Sequence, residues 1–417
     1  MPPFAITALV LILARGVGEL WLSRLNQRHV CAHANQVPSV FVGMIDEATY
    51  RRSAEYTIAK SRFEDVVTLF DAGLLITILF SGVLPWAFGK FTAAFGPSVP
   101  AMAAFLFIIG VALSIIKLPF DWYAQFKLEE QFGFNTTTTK IWVLDRMKGL
   151  LLALLLGYPV LALVLKLIEW AGPTWWVWAA TVVIVFQLLL LLIAPSVIMP
   201  LFNKFTPLPD GSLRNRLFAL ATRANFPTRN IEVMDGSKRS LHSNAFFSGF
   251  GRFRKIVFFD TLMAQLTEPE LESILAHEIG HYKKHHVLKS IAISMLGIFV
   301  GFGAVAWLAR QDWFYRAFDF QHHAGFDAVN VVPAMLLFAL LGGTITFWFS
   351  PIVHICSRCF EYEADAFAAA TMGESHSLIQ ALRKLTKKNL SNLTPHPLYS
   401  GFYYSHPTLL EREQALQ

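Results

Sequence analysis

Charge is scarce in this chain. Only 15% of its 417 residues are Asp, Glu, Lys or Arg, against 54% hydrophobic, a balance that excludes an ordinary soluble enzyme of this length. Cysteine is scarcer still, with Cys31, Cys356 and Cys359 alone, so no disulfide framework is expected. His354, Cys356 and Cys359 form one C-x-x-C with a neighbouring histidine at the end of an apolar run, which reads as incidental rather than as a metal site. The N-terminus lacks the basic region and the small-residue cleavage site of a secretory leader. Its first apolar run carries Arg15 and Glu19 four residues apart, so it is read as a retained helix. No inverted repeat relates the two halves, which argues against a transporter.

Apolar sequence is what the chain has in excess. Runs near 4–22, 66–88, 100–118, 149–168, 175–199, 287–308 and 331–355 are each long enough, at about 1.5 Å per helical residue, to cross a hydrocarbon core roughly 30 Å thick. The expectation is an α-helical polytopic membrane protein with seven transmembrane helices. Apart from Arg15, Lys90, Lys166, Arg310 and Arg316, every Lys and Arg falls in 23–64, 117–148, 201–289 or the tail after 356. Basic residues stay preferentially on the cytoplasmic side of short loops, so these segments share that face. The same asymmetry accounts for the net charge of +6 without a nucleic-acid partner. Four segments follow: 1–200 with five spans, a cytoplasmic domain at 201–286, spans six and seven at 287–356, and the rest of the cytoplasmic domain at 357–417.

The cytoplasmic segment has a mixed texture. Residues 211–224 read as an amphipathic helix, and NIEVMD, NAFFSGF and KIVFFD as short strands of a small sheet. TEPE at 267–270 is a capping box that starts a helix near 268. That helix carries LAHEIGHYKKHH at 275–286. His277 and His281 lie one turn apart on one face, where two imidazoles reach one zinc ion, and Glu278 lies close enough to hold a water: the H-E-x-x-H pattern. Lys284 and Val287 stand where a longer metal-binding pattern needs Gly and His, so that subclass is excluded. His285, beside Lys283 and Lys284, is read as solvated at headgroup level. A third ligand is sought in SRCFEYEADAFA at 357–368, where Glu361 and Asp365 are one turn apart, one to bind metal and the other to orient an imidazole. Spans six and seven form a hairpin between these two segments, which brings both to the same membrane face. Within the spans, Arg15, Glu19, Asp71 and Gln187 are expected to line a wet interior, because ionisable groups facing lipid are costly.

With these stretches the sequence resembles the type I integral-membrane CAAX prenyl protease family of zinc metalloendopeptidases. SKRSLHSNAFFSGF at 237–250 is similar to the family's substrate-strand motif, EEQFGFNTTTT at 129–139 to its cytoplasmic loop motif, and YYSHPTLLER at 403–412 to its C-terminal HP motif. The resemblance implies a ring of seven helices around an intramembrane chamber, with zinc held by His277, His281 and Glu361 and with Glu278 as the base. It further implies that Asp365 supports a ligand, that His406 and Arg412 stabilise the oxyanion, and that Asn244, Ala245, Phe246, Phe247, Ser248 and Gly249 form the edge on which substrate pairs. One Zn²⁺, a peptide or protein substrate, prenylated or not, and the lipid bilayer are the partners so implied. A short sixth connection at 309–330 departs from the longer insertion of eukaryotic members and favours a prokaryotic member, with the active site toward the cytoplasm at the cytoplasmic membrane (endoplasmic reticulum in a eukaryote). It also leaves open a quality-control protease with broad, prenyl-independent specificity.

Overall fold

The computed structural model describes residues 1–226, 230–248, 255–322 and 327–417. In chain order the membrane part begins with α1 (Pro3–His33), α2 (Glu47–Phe80), α3 (Val83–Phe95), α4 (Val99–Tyr123), α5 (Thr139–Leu152), α6 (Tyr158–Ala171) and α7 (Trp175–Ile193). The polar domain supplies β1 (Phe205–Pro207), α8 (Ser212–Arg223), β2 (Asn230–Met234), β3 (Ala245–Ser248), β4 (Lys255–Phe259), α9 (Asp260–Met263) and α10 (Glu268–Lys283). Then come α11 (His286–Leu308), α12 (Asp312–Arg316), α13 (Ala328–Thr346), α14 (Ser350–Met372), α15 (His376–Lys388), α16 (Pro397–Tyr403) and α17 (Leu409–Leu416).

Five helical stretches among the described residues are long and apolar enough to cross a membrane, and α2 with α3 forms a sixth, bent by 56°. The bend falls at Gly82, whose positive φ of 75° suits a residue without Cβ. One stretch, 139–201, holds both the fourth and the fifth expected spans: α6 and α7 pack side by side after a reversal at Gly172. The expected span 331–355 falls within one helical stretch, 328–372, in which a 3₁₀ turn at Phe347–Phe349 lies between α13 and α14.

Packing runs from α1 to α2, α3 to α4, then α6, α7, α11 and α13, and from α13 back to α1. The apolar helices therefore close into a ring. In four of the five stretches only 11–22% of the apolar window is buried, against 56% for 328–372. A helix in a filled bundle hides the face it turns inward, so such low burial means the ring is hollow over much of its height. At one end it is sealed by Ile12, Met102, Leu165, Ile168, Trp175, Phe314, Tyr315 and Leu337, all buried. A cavity of about 240 Å³ inside the ring is lined by Arg15, Glu19, Asp71 and Lys117. These four pair as Arg15–Glu19 at 2.9 Å and Lys117–Asp71 at 2.8 Å, which is how charges persist at this depth. Gln187 lies elsewhere, accepting from and donating to Ser294 between α7 and α11.

The polar domain packs α8, α10, α14 and α15 around a four-stranded sheet of order β1-β2-β4-β3. β2 and β4 run parallel, β1 and β3 antiparallel to their neighbours. Three of these strands were legible in the sequence; β1, three residues long and ending in Pro207, was not. Among the described residues β3 pairs with β4 on one side only, and it is one edge of the sheet, β1 being the other.

Candidate metal centre

The centre is built where two helices cross. α10 begins at the Thr267 capping box, with Glu270 accepting from the Thr267 N–H at 2.7 Å and Lys384 held to Glu270 at 2.8 Å. Ten of its residues are buried, His277 among them. Against it lies α14, and at Gly280 the two backbones nearly touch: a Cβ there would sit 2.9 Å from the Ala364 Cα and 3.0 Å from its carbonyl oxygen. This close approach carries Glu361 and Asp365 to the histidines of α10.

His277, His281 and Glu361 each offer one ligand atom, all within 4.8 Å of one another. The two Nε2 atoms are 3.1 Å apart, and the Glu361 oxygens lie 3.5 Å from His277 Nε2 and 3.3 Å from His281 Nε2. Glu361 Oε2 is buried with no hydrogen-bond partner among the described residues. Two imidazoles and a desolvated carboxylate converge in this way, and a donor set of two nitrogens and one carboxylate suits zinc. Burial alone would lower the His277 pKa, yet the hydrogen bond to Asp365 and the neighbouring Glu361 carboxylate outweigh it and push it up to about 9.

On the far side of the His277 ring, Asp365 lies 2.8 Å from Nδ1, so a proton on Nδ1 has an acceptor and Nε2 faces the other candidate donors. Arg412 of α17 grips Asp365 with Nε at 2.7 Å and Nη2 at 2.5 Å, and its Nη1 lies 3.8 Å from Glu361. Burial opposes the Arg412 charge, but the Asp365 bonds and the charges of Glu361 and Glu278 outweigh it and raise its pKa. Glu278 is half-buried beside His277. His406, its side chain 65% exposed, places Nε2 3.4 Å from Glu361 and lines a cavity of about 420 Å³ with Tyr404, Ser405 and Thr408. His354 donates instead to the Phe402 carbonyl at 2.6 Å, and Cys356 and Cys359 are exposed.

The edge strand lies close by. Asn244 accepts from the Phe259 N–H at 3.1 Å, and Ala245, Phe246, Phe247 and Ser248 pair with β4; Gly249 falls outside the described residues. The two motif segments 129–139 and 237–250 meet ahead of this strand. Phe134 stacks on His242 at 4.0 Å, His242 Nε2 lies 3.1 Å from Glu129, and Tyr56 donates to Glu129 at 2.7 Å. Arg239, bonded to Asp145 at 2.8 and 3.1 Å and to Asn203 at 2.9 Å, anchors the turn below. Sequence reasoning missed Tyr56 and also His286, which is buried against His281 with ring nitrogens 2.9 Å apart; no spacing rule flags either.

A family model described as CAAX prenyl protease N-terminal, five membrane helices, matches residues 26–204, and one for peptidase family M48 matches residues 207–417. The chain is 35% identical over 403 residues to a CAAX prenyl protease 1 homolog of Oryza sativa subsp. japonica, covering 94% of this chain and 92% of that protein. It is 37% identical over 407 residues to CAAX prenyl protease 1 of Saccharomyces cerevisiae, covering 91% and 88%. The crystal structure of S. mikatae Ste24p superposes with a TM-score of 0.90 at 34% identity over 100% of both chains.

Proposed function

Because the chain belongs to the CAAX prenyl protease family and is a membrane metalloendopeptidase of peptidase family M48, we propose that it cuts peptide bonds near the C-terminus of prenylated CAAX-type proteins. The observation that carries this reading is the convergence of His277, His281 and Glu361 at the foot of a hollow helical ring, next to the edge strand β3. We assign His277, His281 and Glu361 as ligands of one Zn²⁺ and Asp365 as the residue that orients His277. Bound there, zinc supplies a Lewis acid that acidifies water and polarises a carbonyl.

The chain's own residues supply the rest. Glu278 takes the proton of the attacking water and later gives it to the leaving amine. His406 donates to the developing oxyanion, and Arg412, fixed by Asp365, adds positive charge from behind; removal of such a donor typically costs about 10²–10³ in rate. Asn244 to Gly249 bind the substrate backbone by strand addition, so selectivity comes from pockets and from access through the membrane. We place the catalytic face toward the cytoplasm, of a prokaryotic cytoplasmic membrane or of the endoplasmic reticulum in a eukaryotic cell.

Mass-spectrometric mapping of one peptide, with and without a farnesyl group on its fourth-from-last cysteine, tests this with purified wild type and Glu278→Gln. Lipid-dependent cleavage after that cysteine, lost in the variant, is expected. Lipid-independent cuts lost in the variant indicate a broad quality-control protease, and cuts that survive Glu278→Gln refute the mechanism.

A further inference from the structure

We infer that His286 and Glu363 form a second hydrogen-bonded relay that fixes the tautomer and orientation of His281, as Asp365 does for His277. The inference rests on the assignment of His281 as a metal ligand. A ligand that binds through Nε2 must carry its proton on Nδ1, and that proton needs an acceptor. Asp365 fills this need for His277, but among the described residues no carboxylate oxygen lies against His281 Nδ1. What faces it is His286 Nδ1, at 2.9 Å.

Two ring nitrogens at that separation share one proton. If His281 Nδ1 donates, His286 Nδ1 must be a bare acceptor, and the His286 proton must sit on Nε2. Glu363 Oε2 lies 3.0 Å from that Nε2 and accepts it. The chain Glu363, His286, His281 therefore has one self-consistent proton arrangement that leaves His281 Nε2 with a lone pair aimed at the metal. The opposite polarity would put the shared proton on His286, leave Glu363 facing a bare nitrogen, and place the single ring proton of neutral His281 on Nε2, where it blocks the site.

The fold makes a specific effort to bring His286 there. On a straight helix a residue five positions on is rotated by about 140°, away from the face of His281. The helix is broken instead: α10 ends at Lys283, His285 takes a left-handed φ of 58°, and α11 restarts at His286. That break folds the His286 ring back beneath His281, and Phe360 stacks on it at 4.3 Å and 11°. The ring is 3% exposed, so water does not compete for its nitrogens. One sharp turn thus connects the metal helix to a membrane helix and also delivers the second support for the centre.

The test measures zinc affinity of the full-length protein in detergent by competition with a chromogenic chelator, with the melting midpoint of the metal-free protein recorded alongside. Wild type is expected to bind one zinc and His281→Ala to lose it; if His281→Ala binds as wild type does, the ligand assignment itself fails. His286→Phe keeps the ring and its stacking on Phe360 but removes the acceptor. Its zinc dissociation constant is expected to rise by about 10–100-fold, the usual cost of removing such a support. His286→Asn restores an oxygen near the Nδ1 position and is expected to return the constant to within about fivefold of wild type. Should His286→Phe fail to fold, Glu363→Ala carries the test from the partly exposed end of the relay, with an expected weakening of about three- to tenfold. Zinc binding by His286→Phe within threefold of wild type would overturn the relay. So would His286→Asn impaired as severely as His286→Phe, since packing rather than the acceptor would then be responsible, and so would unchanged binding by Glu363→Ala.

Discussion

Gly280→Ala isolates what the helix crossing contributes. By propensity alone the change is favourable, since Gly in a helix interior costs roughly 0.5–1 kcal/mol relative to Ala. The added methyl, however, would lie 2.9 Å from the Ala364 Cα, 3.0 Å from its carbonyl oxygen and 3.3 Å from its Cβ. Ordinary carbon contacts fall at about 3.5–4.0 Å, and two of these three neighbours are backbone, which does not swing aside. α10 and α14 must separate by roughly half an ångström to 1 Å, at a cost of about 1–3 kcal/mol for overpacking. The net loss of stability is then about 0–2.5 kcal/mol. Function should suffer more, because α10 carries His277 and His281 while α14 carries Glu361. A misplacement of about 1 Å commonly costs on the order of 10²-fold in rate. The assay is kcat/KM on a fluorogenic peptide, with zinc content and melting midpoint measured on the same preparation. Gly297→Ala serves as control, as nothing lies within 4 Å of a Cβ at that position. Full activity and wild-type zinc affinity in Gly280→Ala would refute the argument that this crossing sets the ligand geometry.

Three further outcomes are expected. Asp365→Ala strands the buried Arg412 guanidinium and should lower stability by about 3–5 kcal/mol in chemical denaturation; a loss below about 1 kcal/mol would show that Arg412 finds another partner. Arg239→Ala removes the bonds to Asp145 and Asn203 beneath the segment that leads into β3, so KM should rise severalfold with kcat little changed, and the converse would contradict a substrate-positioning role for that turn. Glu270 has a carboxyl pKa lowered from 4.5: burial works against the charge, but Lys384 and Thr267 outweigh it. A depressed folded-state pKa contributes stability that is complete above about pH 4.5 and lost as pH falls through the folded value. The stability gap between wild type and Glu270→Gln should therefore be constant at pH 5–7 and shrink below that; a gap growing toward acid would reverse the sign of the argument.

The sequence disclosed the candidate metal helix because its signals are local: a capping box four residues wide and two histidines one turn apart. The approach of Glu361 was also legible, since a hairpin of two spans leaves its ends on one membrane face. What stayed hidden depends on backbone breaks that carry no residue signature. His285 adopts a left-handed φ without being glycine, so nothing marks the turn that presents His286. Phe347–Phe349 forms a 3₁₀ turn within a uniformly apolar run, where hydropathy is blind. The Tyr56, Glu129 and His242 cluster joins three segments remote in sequence, and only the fold brings them to one place. Gly280 was visible as a letter, but its role as the contact point with Ala364 required coordinates.

The position of the proposed ligands relative to lipid explains why a metal helix should abut a membrane span at all. Leu288 on α11 and Ile352, Val353 and Ile355 on α14 are apolar and exposed, and in a bilayer they face hydrocarbon. From Ile355 on to Glu361 is six residues of one helix, so at about 1.5 Å per helical residue α14 carries its donor roughly 9 Å beyond the apolar boundary. An extended peptide covers that distance in about three residues. A bond only a few residues from a lipid-bearing or apolar group can thus reach the centre while that group stays in the bilayer or in the hollow ring. A bond far from any apolar group gains nothing from this placement, so the short distance from the proposed centre to the apolar part of α14 would itself favour bonds near such a group.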